Sequence, residues 1–194
     1  MRLDEEREII NLCKADPEAF SQLYELNYGP LLNYATRRTG NVDVAKDIVA
    51  ETFCKAIKNL HNYQWKSIPF SAWLYRIANN EVNQFFRDSK YKAVSLEKMI
   101  EQNGIEPRSE LDLEEVLLAQ EELEIKHKQF MFYRQKISEL PIKYQEVLSL
   151  RFFESKSIKE ISVILAKSEG TVKSLLHRGI EKLKKKEIFF KNAT

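Results

Sequence analysis

The chain has 194 residues, 43% hydrophobic and 11% aromatic, with only 5 Gly and 5 Pro. This composition buries a core and excludes global disorder, while the scarcity of turn residues excludes a sandwich or barrel with turns every ~8–12 residues. The net charge of +2 is unevenly placed: about +1 over residues 1–94, −6 over 95–130 and +7 over 131–194, so a basic tail follows an acidic middle and nucleic acid is the expected partner of the tail.

In chain order, the apolar period predicts an all-α fold. A helix is expected over Asp4–Ala15, and Asp16-Pro17-Glu18 reads as the start of a second, with Asp as cap and Pro in the first turn. Gly29-Pro30 is expected to halt that helix, and a third to run from Leu31 to Arg38 with Gly40 as its stop. Asp43 is expected to open a long helix to Leu60, with Val44, Ile48, Val49, Phe53 and Ile57 inward. A polar-aromatic loop, His61–Pro69, leads into a helix from Phe70 to about Ser89. The apolar period fades over Tyr91–Arg108 and returns from Leu111 to about Leu140. Three short helices follow, near Ile142–Phe153, Ser157–Leu165 and Glu169–Lys186. The expected domains are 1–92, an acidic linker over 93–130, and 131–194.

The N-terminus lacks the apolar core of a secretory signal, and no stretch approaches the ~18 apolar residues of a membrane span. A cytoplasmic protein without membrane insertion is therefore expected. Cys13 and Cys54 are expected to be buried, reduced thiols. With 3 scattered His and no paired ligands at metal spacing, neither metal nor cofactor is expected.

The strongest local signal is the pair of short helices around Ala166-Lys167-Ser168. Ile158, Ile161, Ile164 and Leu165 line one side of the first helix; Val172, Leu176, Ile180 and Leu183 line one side of the second. That is a helix-turn-helix, with Ser168 as cap and Lys173, Ser174, His177 and Arg178 on the outward side. Cations and hydroxyls on the second helix suit guanine edges and phosphates in the major groove.

A second surface lies on the helix after Phe70. Its apolar face carries Phe70, Trp73, Leu74, Ile77, Ala78, Val82 and Phe85, and its polar face Arg76, Asn79, Asn80, Asn83 and Arg87. Asn and Arg suit a base edge and its phosphates, and Tyr63 and Trp65 in the preceding loop offer stacking surfaces for unpaired bases.

Four segments occur in one order: Asp16-Pro17-Glu18-Ala19-Phe20, Asp47-Ile48-Val49-Ala50-Glu51-Thr52-Phe53, Phe70-Ser71-Ala72-Trp73-Leu74-Tyr75-Arg76-Ile77-Ala78-Asn79-Asn80 and Gly170-Thr171-Val172-Lys173-Ser174. Together they resemble the extracytoplasmic-function (ECF) sigma factors of bacterial RNA polymerase, over nearly the whole chain apart from the linker. The resemblance implies an alternative sigma factor, not an enzyme, with core polymerase, promoter DNA and an anti-sigma protein as partners. It implies that Asp47 and Glu51 face the polymerase clamp helices. It assigns Asn62, Tyr63, Trp65, Lys66, Asn80 and Asn83 to the minus-ten element, beside Arg76, Asn79 and Arg87 from the polar face. It assigns Thr171, Lys173, Ser174, His177 and Arg178, with the capping Ser168, to the minus-thirty-five element. The acidic linker would lie in a basic polymerase channel.

Three positions depart from the family pattern. Ala50 stands where Gln is usual, Leu175 where Arg is common, and Ala166 replaces a frequent turn Gly, so that turn is expected to be held without positive φ. The competing readings are a stand-alone helix-turn-helix regulator, which would dimerise on a palindrome, and a nucleic-acid enzyme such as a recombinase.

Overall fold

The computed structural model describes residues 3–65, 67–91 and 132–191. Lys66, the linker 93–130 and the stretch expected to turn helical from Leu111 up to residue 131 lie outside the described residues. Among the described residues all regular structure is helical, in two domains.

The N-terminal domain consists of α1 (Leu3–Ala15), α2 (Phe20–Thr39), α3 (Val42–Asn59) and α4 (Phe70–Tyr91). On α3, Ala45, Ile48, Val49, Thr52, Phe53 and Ala56 are buried at three- and four-residue steps, the period of a one-sided helix. They meet Phe20, Leu23, Leu31 and Tyr34 of α2 and Phe70, Leu74, Ala78 and Val82 of α4. Each large side chain so buried contributes roughly 1.5–3 kcal/mol.

Local chemistry sets the helix ends and corrects two expectations. Asp16 Oδ1 accepts from the Glu18 N–H at 2.9 Å, and a single 3-10 turn, Pro17–Ala19, leads into α2. Gly29-Pro30 does not halt α2, which runs on through Pro30 to Thr39. The carbonyl that Pro30 leaves without a donor belongs to Leu26, and Leu26 and Pro30 are both exposed, so water satisfies it. The true stop is Gly40, at φ +77° with its N–H on the Thr36 carbonyl at 2.8 Å. A Cβ there would also sit 2.9 Å from the Arg134 guanidinium. Asn41, not Asp43, caps α3: its Oδ1 accepts from the Asp43 and Val44 N–H groups. Cys13 is buried as expected, but Cys54 is exposed, because it falls on the outward face of α3 beside the buried Phe53. Ile57 is also half exposed, at the edge of that outward face.

In the C-terminal domain, residues 132–138 are helical. Pro141 then occupies the N-cap of α5 (Ile142–Leu148), whose last turn widens into a π-helical segment, Ser149–Phe153. Next come α6 (Ile158–Ile164) and α7 (Glu169–Lys191). Ser157 and Glu160 form a reciprocal capping box at the start of α6. Gly179 lets α7 close on α5, since a Cβ there would meet the Leu148 side chain at 3.1 Å.

The turn between α6 and α7 overturns the expectation for Ala166: its φ is +51°. A Cβ in the left-handed region costs about 1–2 kcal/mol, of which glycine's extra unfolded-state freedom takes back part. Ala166→Gly is therefore expected to stabilise the domain by up to about 1 kcal/mol, or roughly 4–8 °C in Tm. A scanning calorimetry trace with a lower Tm would contradict this.

Candidate nucleic-acid interface

Where α7 begins, Ser168 Oγ accepts from the Thr171 N–H at 3.2 Å and lies 2.9 Å from the Thr171 hydroxyl. These two side chains thus shape the helix start as well as facing outward. Behind them Val172, Leu176, Ile161 and Ile164 are buried, which orients α7. Thr171, Lys173, Ser174, His177 and Arg178 are all exposed on its far side, as their spacing predicts. Leu175 is half-buried and packs on the core, so this position contributes packing rather than a charge.

A second surface forms where the 60–69 segment meets α4. Leu60–Asn62 make one 3-10 turn, after which residues 63–65 and 67–69 are irregular. An open depression of about 410 Å³ lies there, lined by Asn62, Tyr63, Trp73, Arg76, Asn80 and their neighbours Lys55, Asn59, Ile77 and Glu81. Its aromatic wall is a cluster: Tyr63 lies 4.9 Å from Trp73 and 5.3 Å from Phe70, ring centre to ring centre. Burial pushes the Tyr63 phenol up to about 12, so it stays a neutral donor at physiological pH. At the other rim Lys55 bridges Glu51 at 3.3 Å and Glu81 at 2.7 Å. Trp73, read from the sequence only as part of the apolar face, is half-buried and lines this depression. Its position one turn into α4, facing a preceding aromatic loop, was the available signal. Trp65 is half-buried and lies outside the lining.

The structure divides the expected polar face of α4. Arg76, Asn80 and Arg87 are exposed. Asn79 is only 3% exposed, and Asn83 is half-buried; both lie at the contact with the C-terminal domain. There Glu146 of α5 accepts from Asn79 Nδ2 at 2.9 Å and Asn83 Nδ2 at 2.6 Å. The Asn79 carbonyl oxygen accepts in turn from the Tyr34 hydroxyl at 2.8 Å and Arg38 at 3.0 Å. Nearby, Glu154 accepts from Arg37 at 2.8 Å and from the Tyr75 hydroxyl at 2.6 Å. Lys156 lies 4.4 Å above the Tyr75 ring and reaches the Ser71 hydroxyl at 3.3 Å. Burial lowers the Lys156 pKa, and burial raises that of Tyr75.

A third surface is the outward side of α3, where Asp47, Ala50, Glu51, Cys54 and Lys58 are exposed together. Among the described residues, no group of His, Cys, Asp and Glu is arranged to hold a metal ion, and no helix is long and apolar enough to cross a membrane.

Residues 23–91 match the family Sigma-70 region 2, and residues 133–183 match Sigma-70, region 4. The chain is 31% identical over 179 residues to the ECF RNA polymerase sigma factor SigW of Bacillus subtilis (strain 168), covering 92% of this chain and 94% of that one. Two solved structures share the fold. One is CnrH in complex with the cytosolic domain of CnrY, with TM-score 0.63, 20% identity and coverage of 92% and 94% of the two chains. The other is the sigma factor RpoE with the anti-sigma factor NepR from Bartonella quintana, with TM-score 0.59, 22% identity and coverage of 86% and 94%. With both sigma regions matched in order on two helical domains, and a relative 31% identical along nearly its whole length, the chain belongs to the ECF sigma factors, alternative sigma factors that direct transcription initiation by RNA polymerase.

Proposed function

We propose that the chain divides promoter recognition between its two surfaces and supplies no catalytic chemistry of its own. The C-terminal unit, 131–194, reads the minus-thirty-five element through Thr171, Lys173, Ser174, His177 and Arg178, with Ser168 at the helix start. The N-terminal unit, 1–92, takes the minus-ten strand as it opens, through Asn62, Tyr63, Trp65, Lys66, Arg76, Asn80 and Arg87, with Trp73 added. Asn79 and Asn83 join that set only when Glu146 releases them. The linker 93–130 passes through polymerase.

The observation that carries this reading is the depression at the start of α4: an aromatic wall facing Arg76 and Asn80. A π-face accepts any unstacked base, while Asn and Arg read an edge or hold a phosphate. The helix-turn-helix alone would equally serve a stand-alone regulator; the depression gives such a protein nothing to do.

Asp47 and Glu51 dock the chain on polymerase, and Cys54 lies one turn further along the same face. Modification of Cys54 by a maleimide is therefore expected to be fast in the free chain and strongly slowed in holoenzyme, where docking covers the thiol. Equal rates in both, read by mass spectrometry, would place the docking face elsewhere. The protein works in the cytoplasm, where polymerase meets the genome. An anti-sigma protein holds it inactive, a partner suggested by the RpoE–NepR complex, whose fold it shares.

The test of the whole reading is run-off transcription from genomic DNA with purified core polymerase. New start sites sharing two upstream boxes are expected, and Tyr63→Ala and Asn80→Ala should abolish opening while leaving upstream duplex binding intact. No new start sites, or opening unaffected by both substitutions, would overturn it.

A further inference from the structure

Helix α1 lies outside the matched Sigma-70 region 2, which begins at residue 23, yet it is tied to both ends of the loop that walls the depression. Glu6, Ile10 and Cys13, spaced four and three residues apart, are all buried, so one face of α1 is anchored in the core. From that face the Glu6 carboxylate accepts from the Phe70 N–H at 2.9 Å. Phe70 is the first residue of α4, and the residue before it, Pro69, has no side-chain acceptor. The cap that a local Ser or Asp would supply thus comes from 64 positions upstream. Its charge also sits at the positive end of a 22-residue helix. Past the buried face of α1, Lys14 Nζ donates to the Tyr63 carbonyl at 2.7 Å. The two bonds bracket residues 63–70. They hold Tyr63 at one end of the loop and the start of α4, which carries Trp73, at the other.

We propose that α1 is a positioning strap, in which Glu6 and Lys14 fix the loop so that Tyr63 packs against Trp73 in the wall of the depression, and thereby set how readily polymerase carrying this chain opens promoter DNA. The proposal rests on the reading of that depression as the seat of the opened strand. Glu6 and Lys14 touch no DNA; they act through Tyr63 and Phe70. Burial raises the Glu6 pKa, so a neutral Gln of the same shape, with one acceptor oxygen, suits the site.

The test uses holoenzyme made from core polymerase and the full chain, on a promoter duplex taken from the mapped start sites. A 2-aminopurine in the minus-ten box of the non-template strand reports unstacking. Glu6→Ala and Lys14→Ala are each expected to slow unstacking by about three- to tenfold, the effect of one lost cap or hydrogen bond. Glu6→Gln should recover most of the rate. Core-polymerase affinity should stay within about twofold of wild type throughout, since no docking contact is lost. Lys14 is exposed, so its removal leaves no cavity and the variant folds. If both alanine variants unstack at the wild-type rate while Tyr63→Ala slows it, the strap is wrong and the depression stands. If Tyr63→Ala also unstacks at the wild-type rate, the reading of the depression has failed and the strap with it. If Glu6→Ala loses polymerase affinity in step with its opening rate and Glu6→Gln rescues neither, α1 serves folding alone and the proposal is overturned.

Discussion

Glu146→Ala is expected to destabilise the folded chain by about 3 kcal/mol and to loosen its two domains from each other. Glu146 is only 8% exposed and accepts both amide bonds that cross the contact. Its loss strands the Asn79 and Asn83 amides, each at a cost of about 1–3 kcal/mol when buried. It also loosens Asn79 and Asn83, whose side-chain oxygens accept from Arg38, a buried guanidinium that already has one nitrogen, Nε, without a hydrogen-bond partner. Both amides donate to the same oxygen, Oε1, so Glu146→Gln keeps that acceptor and should recover most of the loss. Denaturant unfolding measures the stability and small-angle scattering the separation: a lower midpoint with a larger radius of gyration is expected. An unchanged radius with full stability would mean that the apolar packing of α6 on α4 holds the domains without this network.

Arg178→Ala has the largest expected effect on DNA. Arg178 is exposed on the outward face of α7, where a guanidinium reaches either a guanine edge or a phosphate. The loss is about 1–3 kcal/mol in either case, or roughly tenfold to a hundredfold in holoenzyme affinity for the upstream duplex. The form of the loss assigns the contact. A base contact relaxes preference at one position of the box, whereas a phosphate contact weakens all sequences alike and lowers the salt slope by about one. Competition binding at two salt concentrations separates them, and wild-type affinity in both would remove α7 from the groove.

The contrast between the two nucleic-acid surfaces shows what a sequence makes legible. On α7 the inward stripe Val172, Leu176, Ile180, Leu183 defines the outward one, because a helix has one buried side and the remainder faces water. On α4 the same argument puts Asn79 and Asn83 outside, and it fails there because polar groups of α2 and of the C-terminal domain together cover that side. Nothing local announces that a carboxylate 63–67 residues away will take their amides. Pro30 misled for a related reason: its cost depends on whether the orphaned Leu26 carbonyl meets water, which only the packing decides. Ala166 is a turn whose geometry overrides its residue type. The all-helical class, Gly40 as a stop and Ser168 as a cap were legible because each rests on backbone chemistry within a few residues.

The central claim is that the DNA contacts of this chain work when polymerase carries them. In the free chain Glu146 occupies two of the amides expected to meet the minus-ten strand, and two small binding surfaces on separate domains gain from each other only when their spacing is held. The direct measurement is the affinity of the full chain for one mapped promoter duplex, by fluorescence anisotropy, with and without core polymerase at the same salt. The account predicts weak binding with little sequence preference for the free chain, and a gain of at least about a hundredfold, specific to the two boxes, in holoenzyme. Tight and fully specific binding by the free chain would contradict it.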